Sequence, residues 1–313
     1  MKTMVKNTKL KSLLLLGILI SSAGIQAQQK AQFSMYMFNP LAVNPAYAGT
    51  KDALNANVLS RFQWANLEGA PMTQTFSIHT PIRKKNIGLG LSVVNDKIGS
   101  TNYTSVNGDF SYKIKLNNKK DYFSFGLKGG FGIYNANFIE RDVHDASDDL
   151  YTVAIQNKVA PNLGFGVYYY GKKHYIGLTT PQLLSNKLNT TVPSSNSIEA
   201  MHLYLIGGYV FEFNSLVQFK PSLVAKFTPN APLSMDLNAS FFLYNKFWIG
   251  AMYRFQESVG LNVVLYINDY LKFGYAYDFS TTEIQKYGRG SHEIMLGFDL
   301  NSQKSQFYSP RYF

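Results

Sequence analysis

Beyond residue 50 the chain alternates apolar and polar side chains with a period of two, as strands with one greasy face do. In the first such segment Leu54, Ala56, Val58, Ser60, Phe62 and Trp64 share one face, and Asn55, Asn57, Arg61 and Gln63 share the other. Val106, Phe110, Tyr112 and Ile114 oppose Ser105, Asn107, Asp109, Ser111 and Lys113. Phe123, Phe125, Leu127, Phe131 and Ile133 oppose Ser124, Gly126, Lys128 and Gly130, and Leu271, Phe273, Tyr275 and Tyr277 oppose Lys272, Gly274, Ala276 and Asp278. About fourteen segments of this kind are predicted, near 52–64, 72–81, 87–95, 102–115, 122–134, 160–170, 174–181, 201–211, 216–227, 233–244, 246–254, 258–267, 271–278 and 291–300. A tilted strand of about ten residues crosses a bilayer, and an even number of strands returns both ends of a barrel to one side.

The connections carry a second pattern. Residues 82–86, 116–121, 171–173, 212–215, Asn245 and 268–270 form tight turns rich in Asn, Gly and Lys, while 135–159, 182–200 and 279–290 are long. Short periplasmic turns facing long external loops are the asymmetry of outer-membrane barrels, which a soluble β-sandwich has no reason to reproduce. The expected fold is therefore all-β, a transmembrane antiparallel β-barrel of the outer membrane with about 14 strands.

Composition changes this picture little. Among 313 residues, 46% are hydrophobic and 15% aromatic but only 16% charged. The mean hydropathy is nonetheless only -0.12, so the apolar residues are dispersed. Such a balance suits a lipid-facing band with aromatic girdles, and equally a soluble all-β protein. The absence of cysteine excludes a disulfide framework, a thiolate metal site and a lipid anchor on a terminal Cys.

The amino-terminal region lacks the two-residue period. Lys2, Lys6, Lys9 and Lys11 precede an apolar core, Leu13 to Ile20, and small residues follow up to Ala27. This is the layout of a secretory signal peptide over residues 1–27, too short in its apolar run to span about 30 Å. Its removal takes away four lysines and lowers the net charge from +11 to +7. No other run reaches the length of a membrane helix, which leaves a closed barrel, residues 51–313, as the membrane fold. Residues 28–50, broken by Pro and Asn, are expected either to plug the lumen or to hang in the periplasm. Inward glycines at 88, 90, 126, 130, 164 and 166 leave room for a plug. Its deletion would then raise ion conductance.

Candidate chemistry is sparse. The loop Glu140–Asp149 is the densest acidic cluster and offers oxygen ligands for Ca²⁺, but lacks the spacing of a calcium loop, and a solvated external loop has the same composition. From it Asp142, His144, Asp148, Asp149 and Tyr151 are candidate partner contacts. His79, His144, His174, His202 and His292 lie in separate segments with no zinc-like spacing, and no Gly-x-Ser-x-Gly element is present. No catalytic, cofactor-binding or metal-binding residue is assigned. His292 and Glu293, at a strand start, are expected to make rim hydrogen bonds. Basic residues gather in short turns: Arg83, Lys84 and Lys85, then Lys119 and Lys120, then Lys172 and Lys173. They read as solvated turns or as a positive periplasmic surface for an acidic partner or anionic head groups. Nucleic acid is not an expected ligand of an exported membrane barrel, despite a sequence pI of about 9.4. The inner faces look weakly charged and lined by Gly and Tyr, which argues mildly against an ion-selective porin. The terminal Tyr312 and Phe313, or Phe298, are candidates for an aromatic insertion signal.

Several longer stretches resemble one family, the PorP/SprF-like outer-membrane proteins of the type IX secretion system of Bacteroidota. They include QFSMYMFNPLAVNPAYAG (Gln32–Gly49), GAPMTQTFSIHTPI (Gly69–Ile82), GLGLSVVNDKIG (Gly88–Gly99), PNLGFGVYYY (Pro161–Tyr170) and NAPLSMDLNASFFLYNKFWIGAMYR (Asn230–Arg254). VGLNVVLYINDYLKFGYAYDFS (Val259–Ser280), GSHEIMLGFDL (Gly290–Leu300) and SPRYF (Ser309–Phe313) continue the likeness in order. The resemblance implies a non-enzymatic part in type IX secretion and gliding motility, with no catalytic residues to carry over and no cofactor. The partners it implies are outer-membrane lipid, a large secreted cell-surface adhesin or its C-terminal domain, and the periplasmic ring lipoproteins. A passive channel or uptake barrel for a small solute is the alternative reading.

Overall fold

The computed structural model describes residues 32–51, 53–82, 85–116, 121–137, 154–186, 201–229 and 231–300. Their strands are β1 (Leu54–Phe62), β2 (Met72–Pro81), β3 (Ile87–Ile98), β4 (Thr101–Lys115), β5 (Tyr122–Ala136), β6 (Ile155–Tyr170) and β7 (His174–Thr180). They continue with β8 (Leu203–Tyr209), β9 (Phe211–Glu212), β10 (Val217–Phe227), β11 (Ser234–Leu243), β12 (Phe247–Arg254), β13 (Ser258–Tyr266), β14 (Leu271–Ser280) and β15 (Ser291–Leu300). Every consecutive pairing is antiparallel, and β1 also pairs with β15 over Leu54↔Leu300 to Phe62↔His292. The sheet therefore has no open side. Strands β8 and β9 are one stave, since both pair with β10, so the barrel has the fourteen staves that the alternation predicts. The interruption falls opposite Pro221, which has no N–H to give the ladder. On its other side the stave stays paired, with the N–H of Val210 donating to the carbonyl of Lys173 at 2.7 Å.

Alternation translates directly into inside and outside. Leu127 is 58% exposed and its neighbour Lys128 only 4%. On β1, Asn55, Asn57 and Arg61 are buried while Val58 and Phe62 are exposed. An apolar outer surface over a polar, buried interior inverts the arrangement of a soluble protein and requires lipid around it. Large aromatics ring both ends, among them Tyr253, Phe255, Phe279 and Tyr287 at one and Phe211, Phe213, Tyr244 and Tyr270 at the other. Among the described residues no helix is long and apolar enough to cross a membrane.

The end that carries the connections 63–71, 137–154, 181–202 and 281–290 is the external one by the asymmetry of such barrels, and 82–86, 116–121, 171–173, 213–216, 244–246 and 267–270 are the periplasmic turns. The parity is less strict than expected. Strands β3 and β4 meet at the external end through Gly99 and Ser100, with Gly99 at φ +57°, and β12 and β13 meet through residues 255–257. Strand β6 starts at Ile155, several residues before its expected start. Its upper half has no β7 partner, because the β6–β7 ladder begins at Phe165↔Thr180, so Pro161 sits on an edge where its missing donor is tolerated.

Candidate functional site

The interior is the part of the molecule where unusual chemistry collects. Residues 32–51 lie inside the barrel as an irregular segment with three single 3₁₀ turns, Tyr36–Phe38, Pro40–Ala42 and Pro45–Tyr47. Proline opens the second and third, where its fixed φ suits a helical start, and the Asn44 side chain accepts from the Ala46 N–H at 3.0 Å. Gln32 and Phe33 are half-buried, and Ser34 to Asn39 are buried without interruption.

The upper part of this arm is held by charge. Arg61 of β1 reaches Asp278 of β14 at 2.8 Å and Glu293 of β15 at 3.2 Å. Glu293 accepts the backbone N–H groups of both Ser34 and Met35 at 2.7 Å, and the Ser34 hydroxyl donates to Asp278. Arg254 of β12 forms a bidentate pair with Asp236 of β11 at 2.9 and 3.0 Å and holds the arm through the side chain of Gln32 at 2.9 Å and the carbonyl of Phe33 at 3.2 Å. Below these ion pairs, Met35, Tyr36, Met37 and Phe38 pack on Leu59, Phe242, Trp248, Val264 and Met295, all inward-facing.

The lower part is held by shape. A Cβ on Gly126 would sit 2.0 Å from the Ala46 nitrogen, one on Gly88 2.2 Å from the Ala48 oxygen, and one on Gly166 2.1 Å from the Asn44 side chain. A Cβ on Gly90 would sit 3.1 Å from the Leu41 side chain. Four of the six inward glycines thus make way for the arm, while Gly130 accommodates the neighbouring strand at Val106 and Asn107, and Gly164 accommodates Pro181. Backbone groups of the arm are then satisfied by the wall. Ser111 donates to the Ala48 carbonyl at 2.6 Å, Thr179 to that of Val43 at 3.1 Å, and the Gly49 N–H donates to His79 Nδ1 at 3.2 Å. At the periplasmic end Lys51 pairs with Asp299 at 3.0 Å, and Lys272 approaches the same carboxylate at 3.4 Å.

The inner faces are therefore not weakly charged. Alongside the groups above, Lys128 pairs with Asp109 at 2.8 Å. All of these ion pairs are buried except at Asp299, which is half-buried, and a buried charge is tolerated only with a partner at good geometry. Beside the arm a cavity of about 430 Å³ remains, lined by Tyr36, Val43, Tyr168, Tyr175, Tyr204 and Lys220, among others. Lys220 lies over the rings of Tyr175 and Trp248 at 5.3 and 5.9 Å.

The residues that the sequence singled out lie elsewhere. Asp142, His144, Asp148, Asp149 and Tyr151 are outside the described residues, as are Arg83, Lys84, Lys119, Lys120, Tyr312 and Phe313. Lys85, Lys172 and Lys173 are in short turns at the end opposite the long connections, and Lys173 is paired with Glu212 at 2.8 Å, whose carboxylate raises the pKa of its ammonium. His292 makes the rim hydrogen bond expected of it, between its Nδ1 and the Tyr275 hydroxyl at 2.8 Å. Glu293 does not. It is fully buried and belongs to the arm. Among the described residues no group of His, Asp and Glu is placed to hold a metal ion. The arm's charged partners were not recognised as a set, although a charge at an inward mid-strand position, such as Arg61 or Lys128, signals that something inside must neutralise it.

No curated protein matches the chain in sequence. Among solved structures, the Acinetobacter baumannii outer membrane protein Omp33 aligns over 80% of this chain and 98% of its own, at 9% identity and a TM-score of 0.44. A deltaS2 mutant of the TodX monoaromatic hydrocarbon channel aligns over 82% and 91%, at 10% identity and a TM-score of 0.45. The KdgM porin aligns over 79% and 99%, at 11% identity and a TM-score of 0.35. The model of one family, described as type IX secretion system membrane protein PorP/SprF, matches residues 25–298, nearly all of the barrel and the arm inside it. The chain belongs to the PorP/SprF family of type IX secretion system membrane proteins and is an outer-membrane β-barrel.

Proposed function

We propose that this barrel works by presenting protein-binding surfaces at its two ends, without covalent chemistry, in the type IX secretion and gliding machinery. It would support the secretion or cell-surface anchoring of a large adhesin through its external loops, or link to the periplasmic ring lipoproteins through its turns. The observation that carries this reading is the occupied lumen: residues 32–51 are tied to the wall at the top by hydrogen bonds to a buried cluster of charged side chains and at the bottom by glycine-shaped contacts and the Lys51–Asp299 pair. A barrel filled this way is suited to binding at its surfaces. The basic turns with Arg83, Lys84, Lys85, Lys119, Lys120 and Lys172 suit an acidic periplasmic partner. The acidic loop with Asp142, His144, Asp148, Asp149 and Tyr151 suits an external one. Residues 1–27 are proposed to be a signal peptide cleaved after Ala27, which the mass of the mature protein tests.

The alternative, a passive channel or uptake barrel for a small solute, predicts swelling of liposomes that contain the protein. The surface-binding reading predicts none. Pull-down from detergent-solubilised membranes then separates its two forms, since recovery of an adhesin supports anchoring and recovery of ring lipoproteins supports a place in the machine. Recovery of neither, together with liposome swelling, would overturn the proposal.

A further inference from the structure

The arm has a direction, and the direction has a consequence for the chain that precedes it. Lys51, its last residue, pairs with Asp299 beside Leu54↔Leu300, the periplasmic end of the β1–β15 seam. Gln32, at the other end, hydrogen-bonds to Glu257 at 3.1 Å and to Arg254 at 2.9 Å. Both belong to the external end, because Arg254 closes β12 and Glu257 lies in the connection from β12 to β13. Burial agrees, with Gln32 and Phe33 half-buried and the chain buried from Ser34 downward. The arm thus enters at the outer mouth and descends to the periplasmic rim before β1 climbs again.

We infer that the amino terminus of the mature protein is displayed at the cell surface, among the external loops, and not in the periplasm. The inference rests on cleavage after Ala27 as proposed above. Residues 28–31 reach about 14 Å when fully extended. Returning from Gln32 to the periplasm requires crossing an apolar band about 25 Å tall. The segment is too short for that journey. Both chain ends of the barrel staves lie at the periplasmic rim, yet the polypeptide would begin outside.

The absence of cysteine makes the test clean. Single variants Gln29→Cys, Gln285→Cys in the external connection 281–290 and Asp269→Cys in a periplasmic turn are treated with a membrane-impermeant maleimide, in intact cells and after lysis. The inference expects Gln29→Cys to label in intact cells as completely as Gln285→Cys, with Asp269→Cys labelling only after lysis. Labelling of Gln29→Cys only after lysis would overturn it, and so would labelling of Asp269→Cys but not Gln285→Cys in intact cells. A second measurement needs no variant: an impermeant amine reagent applied to intact cells that carry the unaltered protein should modify Lys30, read by peptide mass spectrometry. The same spectra give the mature amino-terminal peptide. A terminus other than Gln28 would refute the cleavage reading separately, whereas a Gln28 terminus with Lys30 unmodified would refute the topology.

Discussion

The two halves of the internal arm are held by opposite means. From Gln32 to Met35 the wall offers long charged side chains, Arg61, Glu293, Asp278 and Arg254, which reach out to an irregular backbone. From Leu41 to Gly49 the wall offers only short or neutral donors and acceptors and otherwise withdraws, with Gly126 and Gly88 letting the arm's backbone lie on the strand and Gly90 and Gly166 making room for the side chains of Leu41 and Asn44. The first is specific through directed bonds and is sensitive to loss of a single partner. The second is specific through volume and is sensitive to gain of a single carbon. One segment can therefore be loosened at either end by different substitutions, which makes the contrast testable.

The largest effect is expected from removing both halves. Deletion of residues 32–50 should convert a barrel of low conductance into an open one in planar bilayers, and unchanged conductance would mean that the arm does not obstruct the lumen. Next comes the charged half. Glu293→Gln or Arg61→Met breaks a buried cluster, a loss of about 3–5 kcal/mol. It should lower the temperature at which the folded barrel converts to its slower-migrating unfolded form in gels. A smaller loss, about 1–3 kcal/mol, is expected from Gly126→Ala, because the added carbon must push the Ala46 backbone away. Gly129→Ala is the paired control, since nothing lies within 4 Å of the position its Cβ would take. Equal effects of these two substitutions would show that the foot of the arm is not shaped by the glycines. Smallest of all is Lys173→Ala. Its partner Glu212 is exposed and screened, so the unfolding temperature should not move, and any effect should appear only in binding to a periplasmic partner.

Much of the frame was legible in the sequence. Alternation alone separates Leu127 from Lys128 and Val58 from Asn57, because in a barrel every second residue has no choice but to face lipid. The inward glycines also announced an occupied interior. What could not be read was pairing across the barrel. Arg61 and Asp278 are 217 residues apart, and Ser34 and Glu293 are 259 apart. No local pattern links such positions, and each taken singly resembles a polar residue on the wet face of any strand. The first residues of β6, Ile155 to Val159, lie outside the predicted segment because Gln156, Asn157 and Lys158 interrupt the apolar alternation. The tight external hairpin at Gly99 departs from the short–long alternation of the connections, because a glycine at positive φ closes the turn in two residues.

The seam between first and last strands has a bearing on how the molecule comes to exist. The arm precedes β1, but the side chains that receive its upper half, Asp278 and Glu293, arrive with the final two strands. The socket is thus completed only when almost the whole polypeptide has been delivered, and the ring of staves can be zipped shut only around a thread already in place. A chain cut off before β14 would carry a thread with no eye to pass through.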